Sequence, residues 1–271
     1  MRHTIAAYLG VKNCAFILKE CLSRLDWVDE IVVGDASDND EVRRMLEEKF
    51  PKAKYYHNTE VDHRLRFEQL RQNIKSDFVL WVDSDEFYTA ECAHEILEAL
   101  EQPCAYDGFK IPSISHCFGE CLGQGATQLR LARTSKLKWP MKSAHEMPVV
   151  DGPVKTLKNP YEHHNNPRLG IVAVKHFRYE AAEAALMETE KLEAGALDKM
   201  GPFKFWLIAA LDWLRFNKRF FQTLWHYRNT RYAALCMAYS RIFHVIAARI
   251  CRTEEARMRR GTIPRDTRGY L

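Results

Sequence analysis

The first hundred residues alternate between short apolar runs and amphipathic stretches. Residues 4–9 form a compact apolar run and predict a strand. Residues 15–25 place apolar side chains at 15, 17, 18, 21, 22 and 25, the spacing of one helical face. Residues 30–33 are short and rich in β-branched side chains, and Gly34-Asp35 follows, which predicts a second strand running into a polar turn. A helix over 39–50 closed by Pro51, a strand over 53–57, a helix over 66–75 and a strand over 77–82 continue the alternation. A helix over 89–100 follows, with Thr89 as its N-cap. Short connections between alternating elements predict an α/β fold: a mostly parallel, Rossmann-like sheet flanked by helices. Ligands of such sheets sit at the carboxyl ends of the strands.

Beyond residue 103 the pattern changes. Residues 108–114, 128–132, 147–150 and 171–174 read as strands without intervening helices, which predicts antiparallel additions to the same sheet. Residues 181–197 read as a helix. Residues 203–252 predict two or three amphipathic helices, with Trp206, Trp213, Phe216 and Phe220 at helical spacing. Residues 253–271 read as loosely ordered.

Composition adds an asymmetry. The 271 residues are 46% hydrophobic and 28% charged, which excludes a disordered or collagen-like chain. Residues 201–271 hold fourteen Lys/Arg against four acids, whereas the other 200 hold 26 basic and 32 acidic side chains. Thirteen of the 31 aromatics lie in that basic tail. The expected organisation is a domain over 1–200 and a basic, aromatic helical extension over 201–271. An anionic membrane surface is the partner such an extension suits, nucleic acid is the other polyanion, and packing onto the body is the plain alternative. No uncharged apolar stretch reaches the ~20 residues of a membrane span, and Lys12-Asn13 interrupts any leader-like start, so a cytoplasmic location is expected. The eight cysteines show no CxxC and read as reduced thiols. His116-Cys117 with Cys121 lacks a second ligand pair of zinc-site spacing.

Three polar segments stop predicted strands. Asp35-Ala-Ser-Asp38-Asn-Asp40 offers carboxylates to a ribose or base, or simply turns and caps the next helix. Asp83-Ser-Asp85-Glu86 follows a buried apolar strand. Two carboxylates at alternate strand positions converge, and a divalent cation relieves their repulsion. Ser143-Ala-His145-Glu146 sets an imidazole beside a carboxylate, the pair a general base or metal site needs. His163, His164 and His176 follow, and His176, at the end of the predicted 171–174 strand, is favoured among them.

Taken in order, four segments resemble the family 2 glycosyltransferases of GT-A fold. They are DEIVVGDASDND (29–40), LWVDSDE (80–86), LRLARTSKLKWPMKSAHE (129–146) and His176-Phe-Arg-Tyr179. The likeness runs from about residue 4 to 179 and is nearest to a bacterial subgroup that adds sugars to lipopolysaccharide cores and related glycans. It implies inverting transfer from a nucleotide-diphosphate sugar, a UDP-sugar first among them, to a glycan or lipid-linked hydroxyl. It implies Mg²⁺ or Mn²⁺ on Asp83 and Asp85 with His176. Asn13, Asp35, Asp38, Arg66, Asp83 and Arg130 are implied as nucleotide-sugar ligands, with Arg71 an alternative to Arg66. Glu146 is the implied base with His145 beside it, and Asp85 or Glu86 the fallback. Gly34 and Asp38-Asn39 depart from the family pattern. The single glycine of the Leu9–Asn13 loop disfavours a sugar nucleotidyltransferase. A non-catalytic polyanion- or membrane-binding module, or a transferase acting on modified bases, are the competing readings.

Overall fold

The computed structural model describes residues 2–60, 63–139, 147–165 and 169–262. These fall into two compact units: 2–116, 123–139 and 147–165 in the first, and 117–122 and 169–262 in the second.

The first unit opens with the expected alternation: β1 (Ile5–Val11), α1 (Ala15–Ser23), β2 (Glu30–Asp35), α2 (Glu41–Lys49), β3 (Lys54–His57), α3 (His63–Leu70), β4 (Phe78–Trp81), β5 (Glu86–Phe87) and α4 (Ala90–Ala99). β6 (Gly108–Cys117) and β7 (Glu120–Arg133) follow, joined by Phe118-Gly119, both at positive φ as a two-residue hairpin turn requires. The remaining strands are β8 (Leu137–Lys138), β9 (Val149–Val150), β10 (Val154–Thr156) and β11 (Tyr161–Asn165). The main sheet runs β3-β2-β1-β4-β7-β6-β11-β5, with β10 paired to β6. β3, β2, β1 and β4 are mutually parallel, and β7 adds antiparallel to β4. A mostly parallel α/β sheet with antiparallel additions is thus what the pattern of the first 140 residues builds.

β1 is central and buried on both faces, which is why it reads as a continuous apolar run. One face packs Ile5, Leu9 and Leu80 against Leu18 and Leu22 of α1. The other carries Tyr8, Phe67, Trp81 and Trp139, an aromatic cluster of tilted and edge-to-face rings with centroids 4.7–5.3 Å apart. The family departure at Gly34 has a packing cause. A Cβ there would stand 2.7 Å from Leu70 Cδ1, 2.9 Å from the Tyr8 hydroxyl and 3.3 Å from Arg66 Cδ. The missing side chain lets α3 lie directly on β2 and gives the Arg66 stem a path.

Apart from the tip of the β6–β7 hairpin, the second unit is helical: α5 (Leu169–Leu186), α6 (Thr189–Gly195), α7 (Pro202–His226) and α8 (Arg231–Arg259). The strand predicted over 171–174 is part of α5. Its β-branched residues favour a strand locally, but Val172, Glu180 and Ala184 fall on one buried helical stripe, and tertiary packing decides. The helix predicted over 181–197 is divided between α5 and α6, and α8 carries order beyond 252, to Arg259. Tyr232–Arg259 is, by length and composition, long and apolar enough to cross a membrane, although charged residues interrupt its apolar run. α5, α6 and α7 all pack along α8, and one-third (33%) of its apolar window is buried.

Candidate functional site

The ends of β1, β2 and β4 bring the first two polar segments together. Cys14 marks the junction: its thiol is pushed up mainly by burial, bonds Ser84, and feels the charges of both Asp35 and Asp85. Asp35 closes β2 and is fully buried. Its Oδ1 accepts from the Ser37 amide at 2.9 Å and from the Ser37 hydroxyl, and its Oδ2 from the Tyr55 hydroxyl at 3.1 Å. Burial and that carboxylate push the Tyr55 hydroxyl up to about 12. Asp35 therefore spends most of its acceptor capacity fixing its own turn.

Asn13 and Asp38 form a reciprocal clasp across the two loops. Asn13 Nδ2 donates to Asp38 Oδ2 at 2.9 Å, and the Asp38 amide donates to Asn13 Oδ1 at 3.0 Å. The Asn13 amide also donates to the Ser37 hydroxyl at 2.7 Å. Asn13 sits at φ 50°, a left-handed conformation asparagine tolerates better than most residues. The Asp38 carboxylate faces solvent, 73% exposed, with Lys12 Nζ 3.8 Å away. Arg66 is buried and donates from Nη1 to the Val11 carbonyl at the end of β1, at 2.9 Å. Arg71 is engaged elsewhere: its guanidinium grips the Thr134 and Leu137 carbonyls and Glu68. Of the two arginines, Arg66 is the one at the strand ends.

The acidic segment is folded as a turn rather than as a continued strand. β4 stops at Trp81, and the Glu86 amide donates to the Asp83 carbonyl at 3.0 Å, folding 83–86 into a tight turn. Asp83 is 46% and Asp85 29% exposed, whereas Glu86 is fully buried. Arg130, from β7, is buried against these carboxylates: Nη2 meets Glu86 Oε1 closely and Asp83 Oδ2 at 3.1 Å, and Nε donates to the Tyr161 hydroxyl at 3.3 Å. Glu86 also accepts from the Asp83 amide at 3.2 Å. Burial pushes the Glu86 carboxyl up, and Arg130 opposes that rise. Arg130 thus spends its guanidinium on these carboxylates, and Glu86, the fallback base of the sequence reading, is enclosed and ion-paired.

The placement of His176 does change. His176 lies inside α5 of the second unit, not at a strand end, with its ring 5.2 Å from that of His244. Burial and His244 lower its pKa. The imidazole beside the acidic turn is His163 of β11, whose Nε2 lies 3.7 Å from Asp85 Oδ1. β11 reaches the turn because it pairs with β5, setting His163 opposite Glu86. The backbone secures the same register: the His164 amide donates to the Asp85 carbonyl at 2.8 Å. His163 and His164 point to opposite faces of their strand. On the other face, His116, Glu162 and His164 bring donor atoms within 4.8 Å of one another, a group able to hold a metal. The His116 and His164 rings stack 4.4 Å apart, and burial with that neighbour lowers the His116 pKa. The sequence signal for β11 was weak, a polar Tyr-Glu-His-His-Asn run with one fully buried residue. His145 and Glu146 lie outside the described residues.

In the second unit, α7 leaves most of its length uncovered. Phe203, Trp206, Trp213, Leu214, Phe221 and Trp225 recur at helical spacing on one face and are 57–81% exposed. Lys204, Arg215 and Lys218 flank that stripe.

Residues 8–148, just over half of the chain, match the family model described as glycosyl transferase family 2. The crystal structure of S. aureus TarS is similar at 16% identity and TM-score 0.42, over 68% of this chain and 42% of that one. The chain thus spans less than half of that protein, but 93% of TarS 1–349 in complex with UDP-GlcNAc, at 15% identity, TM-score 0.47 and 97% of this chain. The mannosyltransferase PcManGT from Pyrobaculum calidifontis, in complex with GDP-Man and Mn2+, is similar at 11% identity and TM-score 0.46, over 97% of this chain and 77% of that one.

Proposed function

The chain belongs to glycosyl transferase family 2, and we propose that it moves a sugar, with inversion, from a nucleotide-diphosphate donor to a hydroxyl of a glycan or lipid-linked acceptor. The observation that carries this reading is the acidic turn at the sheet edge, with Asp83 and Asp85 open to solvent and Glu86 neutralised behind them by Arg130.

The donor set fits a hard divalent cation. Asp83 and Asp85 offer carboxylate oxygens and His163 an imidazole, a combination suited to Mn²⁺ or Mg²⁺. When bound, such a cation supplies Lewis-acid neutralisation of the charge that grows on the leaving diphosphate. The chain's own groups do the rest. Arg130 and Glu86 fix Asp83 before the donor arrives, so no reorganisation is needed as charge develops. The Asn13–Asp38 clasp and the Asp35 turn offer the nucleoside a preset edge of amides and carboxylate, with Arg66 holding the end of β1 beneath it. The acceptor hydroxyl must lose a proton as it attacks, and Glu146 is proposed as its base with His145 orienting it. Support for that pair is the 143–147 run alone. The exposed aromatic stripe of α7, with basic residues beside it, supports a peripheral position on an anionic membrane surface, where a lipid-linked acceptor lies.

A thermal-shift screen of UDP-, GDP-, CMP- and dTDP-sugars, each with and without Mn²⁺ or Mg²⁺, tests this reading. A true donor at a hundred times its dissociation constant adds about 2.7 kcal/mol to the folded state. The expected shift needs nucleotide and metal together and disappears in Asp85→Asn. Folded protein that shifts with no pair would leave a non-catalytic polyanion-binding module as the better account.

A further inference from the structure

Away from the sheet edge, α7 and α8 enclose a cleft of about 320 Å³. Five arginines line it, Arg215 and Arg219 from α7 and Arg241, Arg249 and Arg252 from α8, against a single carboxylate, Asp212. Helical spacing gathers them: 215 and 219 lie one turn apart, and 241, 249 and 252 recur on one face of α8. Asp212 is already engaged. Arg249 Nε donates to its Oδ2 at 2.5 Å, and Arg215 Nη1 lies 3.9 Å from its Oδ1. Arg219, Arg241 and Arg252 form no ion pair among the described residues. His244, also on the wall, faces Glu180 at 3.3 Å.

We propose that this cleft binds a phosphate-bearing anion. Like charges held in a concave space repel, and an entering anion removes that repulsion. Guanidinium forks match phosphate oxygens in pairs, whereas a lysine-lined cleft would offer only point charges. Phe216 and Val245 supply apolar wall between the arginines, which strengthens each charge contact. The volume falls at the small end of the ~300–1,000 Å³ range of ligand sites and exceeds what one phosphate fills. The site therefore suits a diphosphate or a phosphoryl group carrying its substituent. All lining residues belong to the second unit, so the inference does not rest on the reading of the sheet edge. The phosphate could come from a soluble compound or from a lipid headgroup, and two arms separate these sources.

The experiment compares the full chain with Arg219→Gln/Arg241→Gln/Arg252→Gln and with a charge-matched control, Lys49→Gln/Lys52→Gln/Lys138→Gln. The first arm titrates pyrophosphate in EDTA, so that the acidic turn is without metal. The second arm sediments the protein with phosphatidylcholine vesicles, plain or doped with phosphatidic acid. The cleft variant should weaken pyrophosphate binding about tenfold or more, while the control stays near wild type. A loss confined to phosphatidic acid vesicles assigns the phosphate to a lipid headgroup. If the cleft variant is folded by circular dichroism and matches wild type in both arms, the proposal is overturned. It is equally overturned if the control loses as much. Arg241→Gln alone, at an exposed position, provides the same comparison should the triple variant fail to fold.

Discussion

Replacing Arg130 by methionine tests the electrostatic core of the site. Its side chain is 6% exposed and shared between Glu86, fully buried, and Asp83, 46% exposed. The tyrosine ring below it, Tyr161, lies 5.7 Å from the guanidinium carbon. Methionine keeps much of the stem's volume but leaves the Glu86 carboxylate buried without a counter-charge. Breaking such a pair from one side costs about 3–5 kcal/mol. For a chain of this size that corresponds to a melting temperature lower by about 6–20 °C. The pH dependence has a definite sign. Burial raises the Glu86 carboxyl and Arg130 restrains it, so the variant retains only the rise. A carboxyl raised on folding contributes its stability while protonated, and loses it as pH climbs through the folded-state value. The gap between wild type and variant should therefore widen from mild acid toward mild alkali. Urea denaturation across that range measures it. Adding Glu86→Gln to Arg130→Met should recover most of the loss, because the amide still accepts from the Asp83 backbone and carries no charge. A variant within about 1 kcal/mol of wild type, a gap indifferent to pH, or a failed rescue would refute the reasoning.

Gly34→Ala should cost about 1–3 kcal/mol by overpacking, since its new methyl lies 2.7 Å from Leu70 Cδ1 and 2.9 Å from the Tyr8 hydroxyl; equilibrium unfolding reads this directly. Thr89→Ala removes the side-chain oxygen that accepts from the Cys92 amide at 3.1 Å, and should lower stability by about 1 kcal/mol in the same assay. Trp206→Ser with Trp213→Ser, at positions 70% and 65% exposed, should change unfolding free energy by no more than about 0.5 kcal/mol while reducing co-sedimentation with anionic vesicles. Unchanged vesicle binding would remove the support for a membrane-facing α7.

Where local pattern and final packing agree, the chain was legible. β1, β2 and β4 are buried on both faces, so their apolar runs announce them, and the polar residues that stop them mark the sheet edge. Thr89 caps α4 as its position suggests, and Gly34-Asp35 ends a strand. The fates of Arg130 and Glu86 were not legible. Both sit in segments with ordinary spacing, and only the pairing of β4 with β7 brings one against the other. The roles of Arg66 and Arg71 separate for the same reason: five residues apart, one reaches the end of β1 and the other the 134–137 turn.

The histidine beside the acidic turn shows how one misread element moves a whole functional assignment. Residues 171–174 are β-branched enough to predict a strand, and a strand there would put His176 at a sheet edge. The run instead lies in α5, packed along α8, and His176 faces His244. β11 takes its place beside the acidic turn, between β6 and β5, although its Tyr-Glu-His-His-Asn sequence looks like a loop, because β5 offers it a partner strand and Tyr161 stacks 5.3 Å from Tyr88. Once β11 is paired, His163 faces Asp85 at 3.7 Å. The two histidines therefore separate cleanly in one assay. If His163 joins Asp83 and Asp85 on a cation, His163→Ala should require roughly tenfold or more Mn²⁺ for the same nucleotide-dependent thermal shift, as loss of a metal-binding partner does. His176→Ala should leave the Mn²⁺ requirement unaltered, whatever it does to the stability of the helical unit. The reverse pattern would mean that the sequence likeness at 176–179, rather than the geometry of β11, identifies the metal-binding imidazole.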